Sequence, residues 1–187
     1  LGSSGSHINV KCFGDSTGLL KRVGHSGSPP YFYEWFQNGI LYSSGLNDTL
    51  IQNLFSSVFV FSMTDTEGCI DLDTFNISSP LPLIFDTVSV SDINCIGSSS
   101  GAISFSVSGG KKYVVDAEYN YYLINFNMSD TIAFLTRDSM SSNITLASGL
   151  YDIVIDSLFA EQYILSIVDS FNCVLSDTFL LTEPLPY

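Results

Sequence analysis

The sequence predicts an all-β chain of two tandem β-sandwich domains, the second with an inserted β-hairpin. Three observations carry that prediction. The chain repeats itself: residues 44–82 align without a gap onto 148–186 at a constant offset of 104, with 16 of 39 positions identical. The fronts of the copies align at an offset of 83, Cys12-Phe-Gly14-x-Ser-x-Gly18 onto Cys95-Ile-Gly97-x-Ser-x-Gly101, so the second copy holds 21 extra residues. Repetition on this scale marks an array of one folding unit. Apolar residues make up 45% of the chain and charged residues only 13%, with Ser, Thr and Asn filling the gaps, as in half-buried strands. Short apolar or alternating runs are closed by turn signals at close spacing, the pattern of a sandwich.

Each element follows in order. Leu-Gly-Ser-Ser-Gly-Ser-His, residues 1–7, resembles a cloning remnant and is expected to stand outside the fold. The first repeat is assigned to 8–83. In it Tyr31, Tyr33 and Trp35 alternate along one side of a strand; a single Trp per β-sandwich is commonly its core anchor, so a core row is expected, with a sugar-binding platform as the alternative. Val58 to Thr64 is a short apolar run closed by Asp65-x-x-Gly68, and a last strand follows over 70–78. The prolines of Ser79-Pro-Leu-Pro-Leu-Ile84 make a stiff junction between two separate cores. The second repeat is assigned to 84–187. Ile103, Phe105 and Val107 alternate with serines, a strand with one wet face. The run over 164–168, closed by Asp169-x-x-Asn172, leads into a last strand over 174–182. The extra residues fall around 111–147 and are expected to form the added hairpin, as an edge cover or a contact surface.

What the copies keep indicates what the unit needs. Three glycine positions (14/97, 18/101, 45/149), one Cys pair per copy, Asp-Thr-Phe (73–75, 177–179) and Pro-Leu-Pro (80–82, 184–186) are retained. These are turn, staple and core residues, and none forms a reaction centre. His7 and His25 have no counterparts in the other copy, so a Ser-His-Asp or Cys-His arrangement is not expected and the chain reads as non-catalytic. No cofactor is expected. Asp65, Glu67, Asp71 and Asp73 crowd one turn and are the candidates for calcium, but the second copy keeps only Asp169 and Asp177, so a solvated acidic turn is the expectation. For carbohydrate, flat aromatic faces are the useful signal. Tyr119, Tyr121, Tyr122 and Phe126 in the extra segment are the binding candidates.

The net charge of −13 divides into −4 over residues 1–85 and −9 over 86–187, which argues against nucleic acid as a partner because phosphate binding needs clustered Lys and Arg. No run approaches the 18 apolar residues of a membrane span, so direct membrane insertion is not expected. With no signal peptide in view, the chain reads as a piece of a larger secreted protein. The four cysteines form two equivalent pairs without zinc spacing. The expected bridges are Cys12–Cys69 and Cys95–Cys173, one within each copy and worth about 4 kcal/mol each on loop-closure grounds, with reduced thiols as the alternative.

Val10-x-Cys-x-Gly-x-x-x-Gly18, Gly27-x-Pro-Pro-Tyr-x-Tyr-x-Trp35, Asp65-x-x-Gly-Cys69 and a closing Pro-Leu together resemble the SprB repeat. The first copy matches most of this pattern. The second departs from it, with Lys111-Lys112-Tyr113 in place of the Pro-Pro-Tyr stretch and Asn172 in place of the turn glycine. The resemblance implies a segment of a very long, extracellular cell-surface adhesin of gliding bacteria of the Bacteroidetes type, exported by type IX secretion. Its implied partners are neighbouring repeats of the same chain and a polysaccharide or abiotic surface. The alternatives are a polysaccharide-binding module of a secreted or surface protein and a passive stalk spacer.

Overall fold

The computed structural model describes residues 1–112, 119–126, 131–135, 142, 144–146 and 153–186. The chain divides into two units, Leu1–Pro80 and Leu81–Tyr187, against an expected change at 83/84. In the first, strands β1 (Gly2–Ile8), β2 (Gly18–Ser26) and β5 (Leu50–Leu54) form one antiparallel sheet in the order β1-β2-β5. Strands β3 (Phe32–Gln37), β4 (Ile40–Gly45), β6 (Ser57–Thr64) and β7 (Ile70–Ile77) form the other, in the order β4-β3-β6-β7. Side-chain alternation turns one face of each sheet inward. Leu20, Ile51 and Leu54 of the first sheet meet Tyr33, Trp35, Phe59, Phe61, Met63 and Ile77 of the second in one buried cluster. Trp35 is the anchor the sequence implies: it is fully buried, and its indole Nε1–H donates to the Asp48 carbonyl at 2.8 Å.

The second unit repeats this plan with β8 (Ile84–Ser91), β9 (Gly101–Ser108) and β13 (Ile153–Leu158) facing β10 (Asn120–Asn125), β11 (Thr131–Leu135), β14 (Gln162–Val168) and β15 (Val174–Leu180). The sheet orders are β12-β13-β9-β8 and β11-β10-β14-β15, identical to the first unit apart from β12 (Ile144–Leu146). Register confirms the two offsets in a single pair: Gly18 lies opposite Leu54 and Gly101 opposite Leu158. Both glycines are held by space. A Cβ on Gly18 would stand 2.7 Å from the Leu54 carbonyl oxygen, and one on Gly101 would stand 2.6 Å from both Ile93 and Leu181. Each unit is therefore a two-sheet, immunoglobulin-like sandwich with a core of its own.

One expectation is corrected. Residues 1–7 do not stand outside the fold: Gly2–His7 belong to β1 and pair along β2, where unpaired backbone groups of β2 would otherwise face solvent. The added hairpin expected around 111–147 is not confirmed among the described residues. β10 and β11 pair with each other, and β10 pairs with β14, just as β3 pairs with β4 and β6. They are the counterparts of common strands whose sequences have diverged. What the second unit adds among its described residues is β12, an edge strand on β13. Much of the segment 111–147 lies outside the described residues.

One interior slot is filled differently in the two units. Arg22 of β2 lays its guanidinium 5.6 Å from the Phe61 ring centre and 5.0 Å from that of Phe75, and pairs with Asp73. The position equivalent to Arg22 in β9 is Phe105, whose ring packs edge-on against Phe85, which meets Phe179 in the same way.

Candidate functional site

The best-built polar features sit at the end of each unit where the β6–β7 and β14–β15 turns lie. Asp65 is buried and uses both carboxylate oxygens. Oδ1 accepts from the Glu67 and Cys69 amides at 3.0 and 2.9 Å, and Oδ2 accepts from the Ser28 amide at 3.1 Å. Asp169 does the same, with Phe171 and Cys173 amides on Oδ1 at 2.8 and 2.9 Å and the Lys111 amide on Oδ2 at 2.7 Å. One carboxylate thus closes the turn and ties it to the preceding β2–β3 or β9–β10 connection. The retained Asp-x-x-(Gly/Asn)-Cys pattern has a mechanism: the Asp supplies acceptors, and Gly68 (φ 79°) or Asn172 (φ 65°) supplies the left-handed residue. The Ser28 amide, helped by those of Cys69 and Glu67, holds the Asp65 carboxyl below its usual range against the opposing effect of burial. Its contribution to stability is complete above the unfolded value of about 3.9 and is lost as pH falls through the lower folded value.

The calcium candidates are not gathered. Asp65 serves the turn, Asp71 accepts from Ser3 Oγ, Asp73 pairs with Arg22, and Glu67 points its backbone, not its carboxylate, at Asp65. Among the described residues no group of three His, Cys, Asp or Glu side chains could hold a metal ion.

The aromatic candidates divide. Tyr119 and Tyr121 are 1% and 6% exposed and belong to the core, so they are no surface platform. They stand in the places of Tyr31 and Tyr33: the ring pairs are both edge-on, at 6.1 and 6.4 Å, and the Tyr119 hydroxyl donates to the Gly109 carbonyl. The alternation of 119 and 121 was the available signal, obscured by the loss of the Pro-Pro-Tyr context. Tyr122 is half-buried on the other face of β10, and Phe126 is exposed just beyond it.

The cysteine pairing expected within each copy is also corrected. Cys69 and Cys95 are free and exposed, whereas Cys12 and Cys173 are disulfide-bonded. Strand length is the reason. Cys69 immediately precedes β7, while Cys12 lies near its far end, where the Val10 amide donates to the Ser78 carbonyl at 2.9 Å. At about 3.3 Å per residue the eight residues of β7 hold these cysteines on the order of 20 Å apart, and a disulfide needs Cα atoms within about 7 Å. Cys173 precedes β15 and Cys95 lies near its far end, where the Ile93 amide donates to Thr182, so the same exclusion holds.

Tyr163, at the start of β14, was not singled out by the sequence. Its hydroxyl donates to the Phe159 carbonyl four residues upstream at 3.2 Å, a tie between sheets of the kind made by tyrosine corners. Burial, with the Glu161 charge adding to it, pushes the phenol above its usual value. A raised acid favours the folded state fully below the unfolded value of about 10 and loses that contribution as pH rises beyond it. Tyr163→Phe is expected to cost about 1 kcal/mol at neutral pH. It should also flatten part of the fall in urea-unfolding stability between pH 9 and 11, and parallel slopes in parent and variant would refute the assignment.

The SprB repeat model matches residues 87–128, from β8 into the region beyond β10, within the copy whose motifs depart more from the pattern. No curated protein matches the sequence as a relative. Among solved structures, the three N-terminal domains of the bacteriophage RB49 outer capsid protein Hoc align at 15% identity and a TM-score of 0.47, over 97% of this chain and 58% of that one. DIP-gamma IG1+IG2 aligns at 8% identity, TM-score 0.42, over 97% of both chains. The fibronectin(III)-like modules of Clostridium thermocellum CbhA align at 9% identity, TM-score 0.37, over 97% and 94%.

Proposed function

We propose that the chain is a non-catalytic run of tandem repeats from a large secreted cell-surface adhesin, giving reach and surface attachment in gliding motility. The observation that carries this reading is that the two copies share residues that build the fold and no reaction centre. Gly18 and Gly101 leave room for the neighbouring chain, Asp65 and Asp169 close turns, each copy builds its own core, and the SprB match falls on the second. Repetition of one self-contained unit suits an array whose length matters. The partners in this reading are adjoining repeats and a polysaccharide or abiotic surface, and the location is extracellular.

Beads coated with the chain test it. They are expected to be retained on polystyrene, glass or immobilised polysaccharide several-fold more than beads coated with an equally acidic control protein. Retention on polysaccharide alone would favour a glycan-binding module, and no retention anywhere would leave a passive spacer. If Tyr122→Ala with Phe126→Ala abolishes retention while the fold is kept, the contact surface lies at the end of β10.

A further inference from the structure

The turn between β3 and β4 is two residues long, with Gln37 opposite Ile40 and Asn38-Gly39 between them. Both turn residues have positive φ, 49° and 82°, the mirror-image turn that matches strand twist and selects Asn-Gly. Both are exposed, and a Cβ on Gly39 would meet nothing within 4 Å. The Asn38 amide donates to the Val58 carbonyl at 3.2 Å, which fixes the entry to the turn. The Asn38 side chain is held as well: Ser57 Oγ, at the start of β6, donates to its Oδ1 at 3.3 Å.

This combination occurs once in the chain. Of its 11 asparagines only Asn38 precedes a glycine; the others precede residues with side chains, as in Asn9-Val10, Asn53-Leu54 and Asn76-Ile77. The side-chain carbonyl carbon of an asparagine is placed to be attacked by the next backbone nitrogen, closing a five-membered ring. What normally prevents it is crowding by the next side chain and a backbone held in a ladder. Glycine removes the crowding and lets the peptide rotate toward the amide at little cost, and Gly39 lies at the tip, outside the paired positions of β3 and β4. A hydroxyl donating to Oδ1 draws electron density from Cγ and stabilises the negative charge that grows on that oxygen during attack.

We propose that Asn38 is a site of spontaneous covalent modification, converted through a succinimide to aspartate and isoaspartate, with Ser57 as its positioning residue. The Gly39 nitrogen attacks Cγ and loses its proton, the new C–N bond closes the ring, and the side-chain nitrogen leaves as ammonia. Water then adds to the imide. Cleavage of the Cγ–N bond gives aspartate with the main chain restored; cleavage between the backbone carbonyl carbon and that nitrogen gives isoaspartate, with the main chain routed through Cβ and Cγ. The balance is one water in and one ammonia out. Either product adds a negative charge at the tip, and isoaspartate also adds one main-chain atom between Gln37 and Gly39, so the Gln37–Ile40 pair no longer closes on a two-residue turn. The change falls on β4, an edge strand whose Ile40, Leu41 and Tyr42 are exposed. None of this depends on the adhesin reading.

The test holds the folded chain at mildly alkaline pH and follows it by peptide mapping, with isoaspartate detected by enzymatic methylation. Asn38 is expected to convert at least about tenfold faster than Asn47 or Asn76, which are exposed but precede Asp48 and Ile77. Ser57→Ala should slow the conversion about twofold, and Ser57→Thr, which keeps the hydroxyl, should restore it. Hydrogen exchange should rise through β4 in the isoaspartate fraction, stay near the parent in Asn38→Asp, and stay unchanged in the second unit. Conversion at Asn38 no faster than at Asn47 and Asn76, or a rate indifferent to Ser57→Ala, would overturn the proposal.

Discussion

Trp35→Ala is expected to cost the first unit about 4 kcal/mol, a large share of a small domain's stability, while the second unit keeps its fold. Three losses combine. The indole is completely buried, so its removal opens a large cavity between sheets that relax only in part. Its ring lies 4.9 Å from that of Phe61, a tilted aromatic contact that ends with the substitution. Its Nε1–H is the donor to the Asp48 carbonyl, on the β4–β5 connection, which is left without that bond. Trp35→Phe retains most of the packing and should cost clearly less. The cores share no residue, so hydrogen exchange should rise through β3 and β6 in the alanine variant and stay unchanged in β14. A loss of under 2 kcal/mol, or equal loosening of both units, would contradict this account.

How much of this was legible in the sequence depends on how locally each feature is determined. Ile103, Phe105 and Val107 alternate without interruption and face inward as read, because side-chain direction in a strand depends only on parity. The repeat offsets predicted equivalent strands, and the Gly18–Leu54 and Gly101–Leu158 pairs fulfil them. The place of the extra length is not legible in the same way, because no local signal in 111–147 says which strands it separates. The described strands β10, β11 and β13 keep the pairings of β3, β4 and β5, so the extra length is not one added pair of strands. Tyr119 and Tyr121 were misplaced for that reason alone: once β10 is recognised as the counterpart of β3, parity puts both in the core.

The cysteines failed for a different reason. Two cysteines per copy suggest a staple, but sequence separation says nothing about which end of a sandwich each occupies, and one strand length separates the options. Residues 1–7 illustrate the converse. Their composition suggested a remnant, yet a strand edge on β2 accepts almost any backbone, because the ladder bonds are made by the main chain.

Asp169→Ala carries the second large expected effect, a loss on the order of 3 kcal/mol from the second unit. The side chain is wholly buried and accepts from three backbone amides, at Lys111, Phe171 and Cys173. Alanine leaves all three donors without that acceptor, and water must enter the turn to replace it. Asparagine separates the parts of this effect. Its carbonyl oxygen can keep the two bonds of the turn, but its amide group turns a donor toward the Lys111 amide, so the tie to the β9–β10 connection is lost and an intermediate cost is expected. Asn172→Gly tests the same turn from the backbone side: at φ 65° glycine removes the steric penalty, so it should be neutral or slightly stabilising. Urea unfolding of the four proteins, with hydrogen exchange read at 169–174, measures the series. The expected order of stability is Asn172→Gly at or above the parent, then Asp169→Asn, then Asp169→Ala. A carboxylate acting instead as a metal ligand would give a different result, because the parent itself would then lose stability on treatment with a chelator, and it is expected not to.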